Sequence, residues 1–192
     1  GWKSCILLGH SLGGAIATFV AVADPSIVTH LILIDGLGPR AEVASKAAIQ
    51  LSKATRRSRT IHTKVSGKIH PNLEAMINAR LQVNHISREG ARIIVERNAV
   101  EVNNGFGWRT DPRLLWPSPQ YMTEEQVLTI FKANKVPTLL AMAKDGYLQS
   151  RAETANRINA FLNIRVVEFQ GNHHFHLDDP GPIAKEINLF IS

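Results

Sequence analysis

The sequence predicts an α/β fold, a parallel sheet of about four strands with a helical cap insertion, and three observations carry that expectation. Apolar runs at 4–8, 28–34, 137–143 and 164–169 have the length and near-continuous hydrophobicity of strands covered on both faces. Helical patterns at 12–23 and 149–162 separate neighbouring runs, which is the alternation of a parallel sheet with crossover helices. Between the second and third runs lie about 100 residues of helix-and-loop pattern, too many for a connection and enough for a cap or lid. The expected organisation is a core at 1–37, a helical insert at 38–135 and a return to the core at 136–192.

The first strand runs through Cys5-Ile6-Leu7-Leu8 straight into Gly9-His10-Ser11-Leu12-Gly13-Gly14 and an apolar helix that Asp24-Pro25 ends. G-x-S-x-G between strand and helix is the setting of a nucleophile elbow, a sharp turn that lifts a serine hydroxyl off the sheet. That turn is expected to leave no room for a Cβ at Gly9 or Gly13. The unpaired N–H groups and dipole at the helix start favour the negative charge that builds when the hydroxyl attacks a carbonyl. The N–H of Leu12 is the expected oxyanion donor. A phosphate-cradling turn is the competing reading, but the segment lacks both the Lys-Ser/Thr ending of a P-loop and the G-x-G-x-x-G spacing of a dinucleotide fold. The helix, apolar nearly all round, is expected to be buried. The second strand closes at Asp35-Gly36, which puts a carboxylate at a strand's carboxyl end, where sites in open α/β sheets gather.

The insert reads as helices at 41–53, 73–83 and 88–98, a turn-rich irregular stretch at 103–112, and a helix opened by Thr123 with Glu124 and Glu125 in its first turn. Phe106, Trp108 and Trp116 are candidates to wall a pocket, although aromatics so placed more often fill the insert's own core. From Lys46 to Lys68 the cations Lys53, Arg56, Arg57, Arg59 and Lys64 occur with no acidic residue among them. With no nucleic-acid motif beside it, this run is read as a solvated basic face and no nucleic-acid partner is expected.

The third strand ends at Lys144-Asp145-Gly146, and the fourth leads into Gly171-Asn172-His173-His174-Phe175-His176-Leu177-Asp178-Asp179-Pro180 before a closing helix at 182–191. A serine hydroxyl needs a base to take its proton, imidazole is the usual one, and the imidazole needs an acceptor to fix its tautomer. The chain order serine, acid, histidine is met here. His-His-x-His also raises a metal cluster, but the sequence offers no second ligand cluster, so no metal and no other cofactor is expected.

Taken together, the elbow at 9–14, the strand ending in Asp35-Gly36, the strand 137–143 and the Gly-x-His-His-x-His-Leu-x-x-Pro loop resemble the α/β-hydrolase superfamily. Within it, Gly-Phe-Gly-Trp-Arg-x-Asp-Pro-Arg-Leu from Gly105 to Leu114 resembles the serine-hydrolase-like proteins. The resemblance covers essentially the whole chain. It implies Ser11 as nucleophile and His173, followed five positions on by Asp178, as base, with His10, His174 and His176 as neighbours that pack or line the pocket. It places the acid three residues after a glycine that ends the third strand. Here Ala143 stands where that glycine would be, Gly146 occupies the acid's place and Asp145 falls one short. Asp145 is one candidate acid, and Asp35, at the end of the preceding strand as in some relatives, is the other.

The activity so implied is a serine hydrolase acting through an acyl-enzyme on a small ester, thioester or related carbonyl substrate. Serine at the elbow, in place of aspartate, argues against dehalogenase and epoxide hydrolase chemistry. A slow or non-catalytic scaffold that binds a small ligand is the alternative from another class; a carbon–carbon bond hydrolase or cofactor-free peroxidase would share the triad. The resemblance also implies a second oxyanion donor from a loop upstream of Gly1.

Composition is that of a globular protein with a formal charge of +6, and no apolar run approaches the roughly 20 residues of a membrane span. The single cysteine, Cys5, is expected to be a core thiol, compatible with a cytoplasmic location. The chain enters the elbow strand almost at once, although a strand apolar on both faces expects neighbours on both sides. The missing N-terminal half of the same fold is therefore an expected partner.

Overall fold

The computed structural model describes residues 1–61 and 68–192; Lys64, within the basic run, lies outside the described residues. The chain forms two compact units, Gly1–Ala41 with Met122–Ser192, and Glu42–Tyr121.

The first unit holds strands β1 (Cys5–His10), β2 (Val28–Ile34), β5 (Thr138–Ala143) and β6 (Ile164–Phe169), and helices α1 (Leu12–Ala23), α5 (Glu124–Ala133), α6 (Thr154–Ala160), α7 (Phe175–Asp178) and α8 (Pro180–Ile191). The strands pair in the order β1-β2-β5-β6, all parallel. Side chains alternate across the sheet, so each strand feeds two cores. Leu31, Leu33, Leu140 and Met142 pack on one face with Ala17 and Ala21 of α1 and Val127 and Phe131 of α5. Ile32, Ile34, Leu139, Ala141 and Ala143 pack on the other with Phe175 and Ile183. Because the strands are parallel and in register at their ends (His10 opposite Ile34, Ala143 opposite Phe169), four carboxyl-terminal exits open along one edge of the sheet.

Two expectations change here. The helix α1 is not buried all round: Leu12, Ile16 and Val20, spaced four apart, form an exposed stripe, and Ile6 and Leu8 of β1 are exposed as well. The reason is that β1 is the edge strand of the described sheet, so only one flank of it and of α1 is covered. The insert is also shorter than 38–135. Thr123 caps α5 through a reciprocal capping box with Gln126, and the helix then sinks Val127 and Phe131, both fully buried, into the sheet's core. An amphipathic helix of this kind reads the same from sequence whichever core receives it.

Around the elbow the glycines divide into two sorts. A Cβ at Gly9 would lie 2.2 Å from the Gly13 carbonyl oxygen, one at Gly36 would lie 2.4 Å from that of Ser11, and one at Gly14 would lie 2.8 Å from that of Gly36. At Gly13, by contrast, a Cβ meets nothing within 4 Å, so the expected clash there is absent. Glycine is demanded at 9 by the Gly13 backbone, at 36 by the Ser11 backbone and at 14 by the Gly36 backbone, where β1 and β2 leave the sheet. Gly9→Ala is therefore expected to lower the melting temperature clearly. Gly13→Ala, in the first turn of α1, should leave the melting temperature unchanged or raise it slightly; thermal unfolding of the two variants checks this.

One buried charge ties the exit of β2 to the helices. The Arg157 side chain, 1% exposed, donates to both carboxylate oxygens of Glu124 at 2.8 and 2.6 Å and to the carbonyls of Leu37 and Pro39 at 2.8 and 2.9 Å. Gly38 between those carbonyls has φ 77°, and a Cβ there would strike the Phe131 ring.

The second unit contains α2 (Ala47–Ile61), α3 (Leu73–Leu81), α4 (Arg88–Asn98) and a hairpin of β3 (Ala99–Val102) and β4 (Gly105–Trp108). Its core is Met76, Ile77, Ala91 and Val95. The hairpin corrects the expectation of an irregular stretch: Asn104 at φ 67° and Gly105 at φ 156° take the left-handed conformations that turn the chain between antiparallel strands. Lys46, Lys53, Arg56, Arg57, Arg59 and Lys68 are exposed, as a solvated basic face requires. Among the described residues no helix is long and apolar enough to cross a membrane.

Candidate active site

Ser11 sits between β1 and α1 with φ 54° and ψ −119°, a left-handed conformation that a non-glycine residue adopts only when its surroundings force it, at a cost of about 1–3 kcal/mol. What forces it here is the hydrogen bond from its N–H to the Ile34 carbonyl, 3.0 Å, together with the close packing of Gly36 on its backbone. Leu12 occupies the first position of α1, where the helix supplies no acceptor for the N–H.

One residue beyond β2, Asp35 is fully buried and also left-handed, at φ 39°. Its carboxylate accepts from the N–H of Ala143 at 3.3 Å and of Tyr147 at 3.1 Å. The third bond is to histidine: His173 Nδ1 lies 2.6 Å from Asp35 Oδ2. Since the carboxylate already accepts two backbone donors, Nδ1 carries the proton in this pair, and the other ring nitrogen, Nε2, is left to act as a base. His173 is held where it is by a turn after β6, in which Gly171 takes φ 104° and the Phe175 N–H bonds the Asn172 carbonyl at 2.9 Å.

Asp145 does not meet His173. It is exposed on the turn after β5, where its N–H bonds the Gly171 carbonyl at 3.0 Å. The neighbouring Gly146 explains the arrangement: a Cβ there would fall 2.7 and 2.9 Å from the two carboxylate oxygens of Asp35. The place where the resemblance puts the acid is thus a glycine, and the space its side chain would take is filled by the carboxylate of Asp35.

A sequence profile of the alpha/beta hydrolase family matches residues 2–186. The chain belongs to that family. It is similar to a serine hydrolase-like protein of Dictyostelium discoideum, 26% identical over 205 residues that cover 99% of this chain and 56% of the relative. It is likewise similar to an sn-1-specific diacylglycerol lipase of Mus musculus, 28% identical over 200 residues that cover all of this chain and 60% of that one. Among solved structures, a hypothetical protein from Pseudomonas aeruginosa superposes with a TM-score of 0.90 at 32% identity, over 99% of this chain and 67% of that one. The chain therefore spans 56% to 67% of the length of these three proteins.

In this alpha/beta hydrolase family member the loop after β6 is crowded with imidazoles. The His10 ring lies 4.5 Å from that of His173, 5.1 Å from that of His174 and 4.4 Å from that of His176, centroid to centroid. Among the described residues no group of three or more His, Cys, Asp or Glu is arranged to hold a metal ion. His176 is held down from the ordinary 6.5 to about 4, first by burial and then by the neighbouring His10 and His173. As pH falls from 6.5 towards about 4 the unfolded chain takes up a proton at this residue that the folded site refuses, so folding stability should drop across that window. Urea unfolding at a series of pH values checks this, and His176→Gln is expected to make the drop shallower.

Of the remaining pocket candidates, Phe106 and Trp108 lie on β4 and pack against the core of the second unit, while Trp116 is half-buried in that unit. Two further glycines shape the site, Gly36 against the Ser11 backbone and Gly146 against the Asp35 carboxylate. Their signal in the sequence is a glycine immediately after one candidate acid and another at the position the resemblance gives to the acid.

Proposed function

We propose that this chain carries the reacting groups of a serine hydrolase, with Ser11 as nucleophile, His173 as base, Asp35 as the acid that orients it and the Leu12 N–H as one oxyanion donor. The observation that carries this reading is the 2.6 Å bond from His173 Nδ1 to a fully buried carboxylate, one residue past the strand paired with that of Ser11. In the proposed cycle the Ser11 hydroxyl adds to a carbonyl carbon while its proton passes to His173 Nε2. The oxyanion rests on the Leu12 N–H; collapse expels the alcohol or thiol, which takes the proton from His173. Water then adds to the acyl-enzyme by the same route, returning the free acid and the serine hydroxyl.

The substrate we propose is a small ester, thioester or related carbonyl compound, a class to which an ester-cleaving relative, by its name a diacylglycerol lipase, lends support. A buried Asp35 bonded to the histidine supports this reading over that of a non-catalytic scaffold. We also propose that the open edge of β1 receives further strands of the same fold, since its Ile6 and Leu8 and the adjoining stripe on α1 are exposed and the chain spans only part of its relatives. The test is hydrolysis of p-nitrophenyl acetate and butyrate and of acetyl thioesters by the full-length protein. Turnover above the buffer rate is expected for at least one; no turnover of any would remove the reading.

A further inference from the structure

The residue between Gly9 and Ser11 does more than fill space. His10 Nε2 lies 2.9 Å from the backbone carbonyl oxygen of His173. A carbonyl oxygen can only accept, so Nε2 of His10 carries a hydrogen and donates it; the tautomer is settled by the partner. The bond joins two residues 163 positions apart in the chain, one adjacent to the nucleophile and the other the base itself. His173 is consequently gripped at two points: its ring by Asp35 and its own backbone by the residue beside Ser11. His10 is in turn wedged by the rings of His174 and His176, the second of which is kept uncharged near neutral pH by its burial.

The geometry points to His10 as a positioning residue that fixes the base loop to the nucleophile turn through its Nε2–H, so that the serine-to-imidazole alignment does not depend on the Asp35 bond alone. This rests on the proposed serine hydrolase reading for its kinetic consequences, though not for the bond. The physical logic is that Asp35 fixes one ring nitrogen and the turn after β6 fixes the local shape of the loop, whereas the His10 bond ties the backbone of that loop to the nucleophile turn. A misplacement of about 1 Å in such a site costs about 100-fold in rate. A side chain that only lined the pocket would act on substrate binding instead.

Two variants separate the donor from the ring. His10→Phe keeps an aromatic ring among the imidazoles and removes the N–H, whereas His10→Gln places an amide N–H at similar reach. In the full-length protein acting on p-nitrophenyl acetate, His10→Phe should lower kcat by about 10- to 100-fold with KM little changed, and His10→Gln should recover most of the loss. Independently of turnover, the His173 Nδ1–H proton, hydrogen-bonded to Asp35, should give a downfield proton NMR signal in the unaltered protein and in His10→Gln, and exchange faster or vanish in His10→Phe. Equal kcat in all three proteins, equal loss in both variants, or a change confined to KM would overturn the positioning role. Should the unaltered protein not turn over, the hydrolase reading fails by itself and the NMR comparison decides for or against the tether: the same signal in all three proteins overturns it.

Discussion

Asp35→Asn is expected to lower kcat by up to about 10⁴-fold while Asp145→Asn leaves it within a few-fold of the parent. The amide that replaces the carboxylate would offer its oxygen or its NH2 to a ring that now needs an acceptor at Nδ1, and the backbone N–H groups of Ala143 and Tyr147 compete for that oxygen. The imidazole is then free to take the tautomer with its hydrogen on Nε2, which cannot accept the serine proton. Stability should suffer less than turnover, because asparagine also tolerates the left-handed backbone at this position, φ 39°. The exchange Asp35→Gly with Gly146→Asp tests the geometry further. It returns the acid to the strand-end position where the resemblance places it and clears the space the carboxylate of Asp35 now fills, so it should recover part of the turnover that Asp35→Gly alone loses. Steady-state kinetics on a p-nitrophenyl ester reads all four variants.

Glu124→Ala is expected to cost about 1–3 kcal/mol of folding stability, measured as the shift in urea unfolding. The Arg157 guanidinium, 1% exposed, would keep the carbonyls of Leu37 and Pro39 but lose the only carboxylate bonded to it among the described residues. Removing Glu124, itself 36% exposed, leaves the buried guanidinium short of its carboxylate, which is why this substitution should be more damaging than Lys46→Ala. The Lys46–Glu42 pair has a similar 2.8 Å separation, but Lys46 is 59% exposed and the pair is worth at most about 1 kcal/mol. The effect of Glu124→Ala should reach the active site as well, since the two carbonyls that Arg157 holds follow Asp35-Gly36 directly in the chain.

Much of this arrangement is legible in the sequence. The strands Val28–Ile34 and Ile164–Phe169 and the helix Leu12–Ala23 fall where their apolar runs and punctuation put them, because a buried parallel strand and a helix stopped by Asp24-Pro25 leave little choice of boundary. The hairpin of the second unit did not declare itself. Its strands are four residues each, and glycines at 105 and 107 dilute the alternation that marks a strand. The acid was ambiguous for a different reason. Asp35 and Asp145 both end strands of a parallel sheet, and which carboxylate reaches the imidazole depends on how the turn after Ala143 folds back, a matter of one residue's side-chain volume at Gly146. The exposed stripe of α1 is not legible in the sequence, because apolar composition reports what a surface prefers and says nothing of whether the described residues supply the cover.

The most direct test of the account is covalent labelling of the full-length protein with a fluorophosphonate, followed by intact and peptide mass spectrometry. A single adduct on Ser11, absent from Ser11→Ala and strongly slowed in Asp35→Asn, is the predicted result. An unlabelled protein, or an adduct that persists after Ser11→Ala, would contradict it.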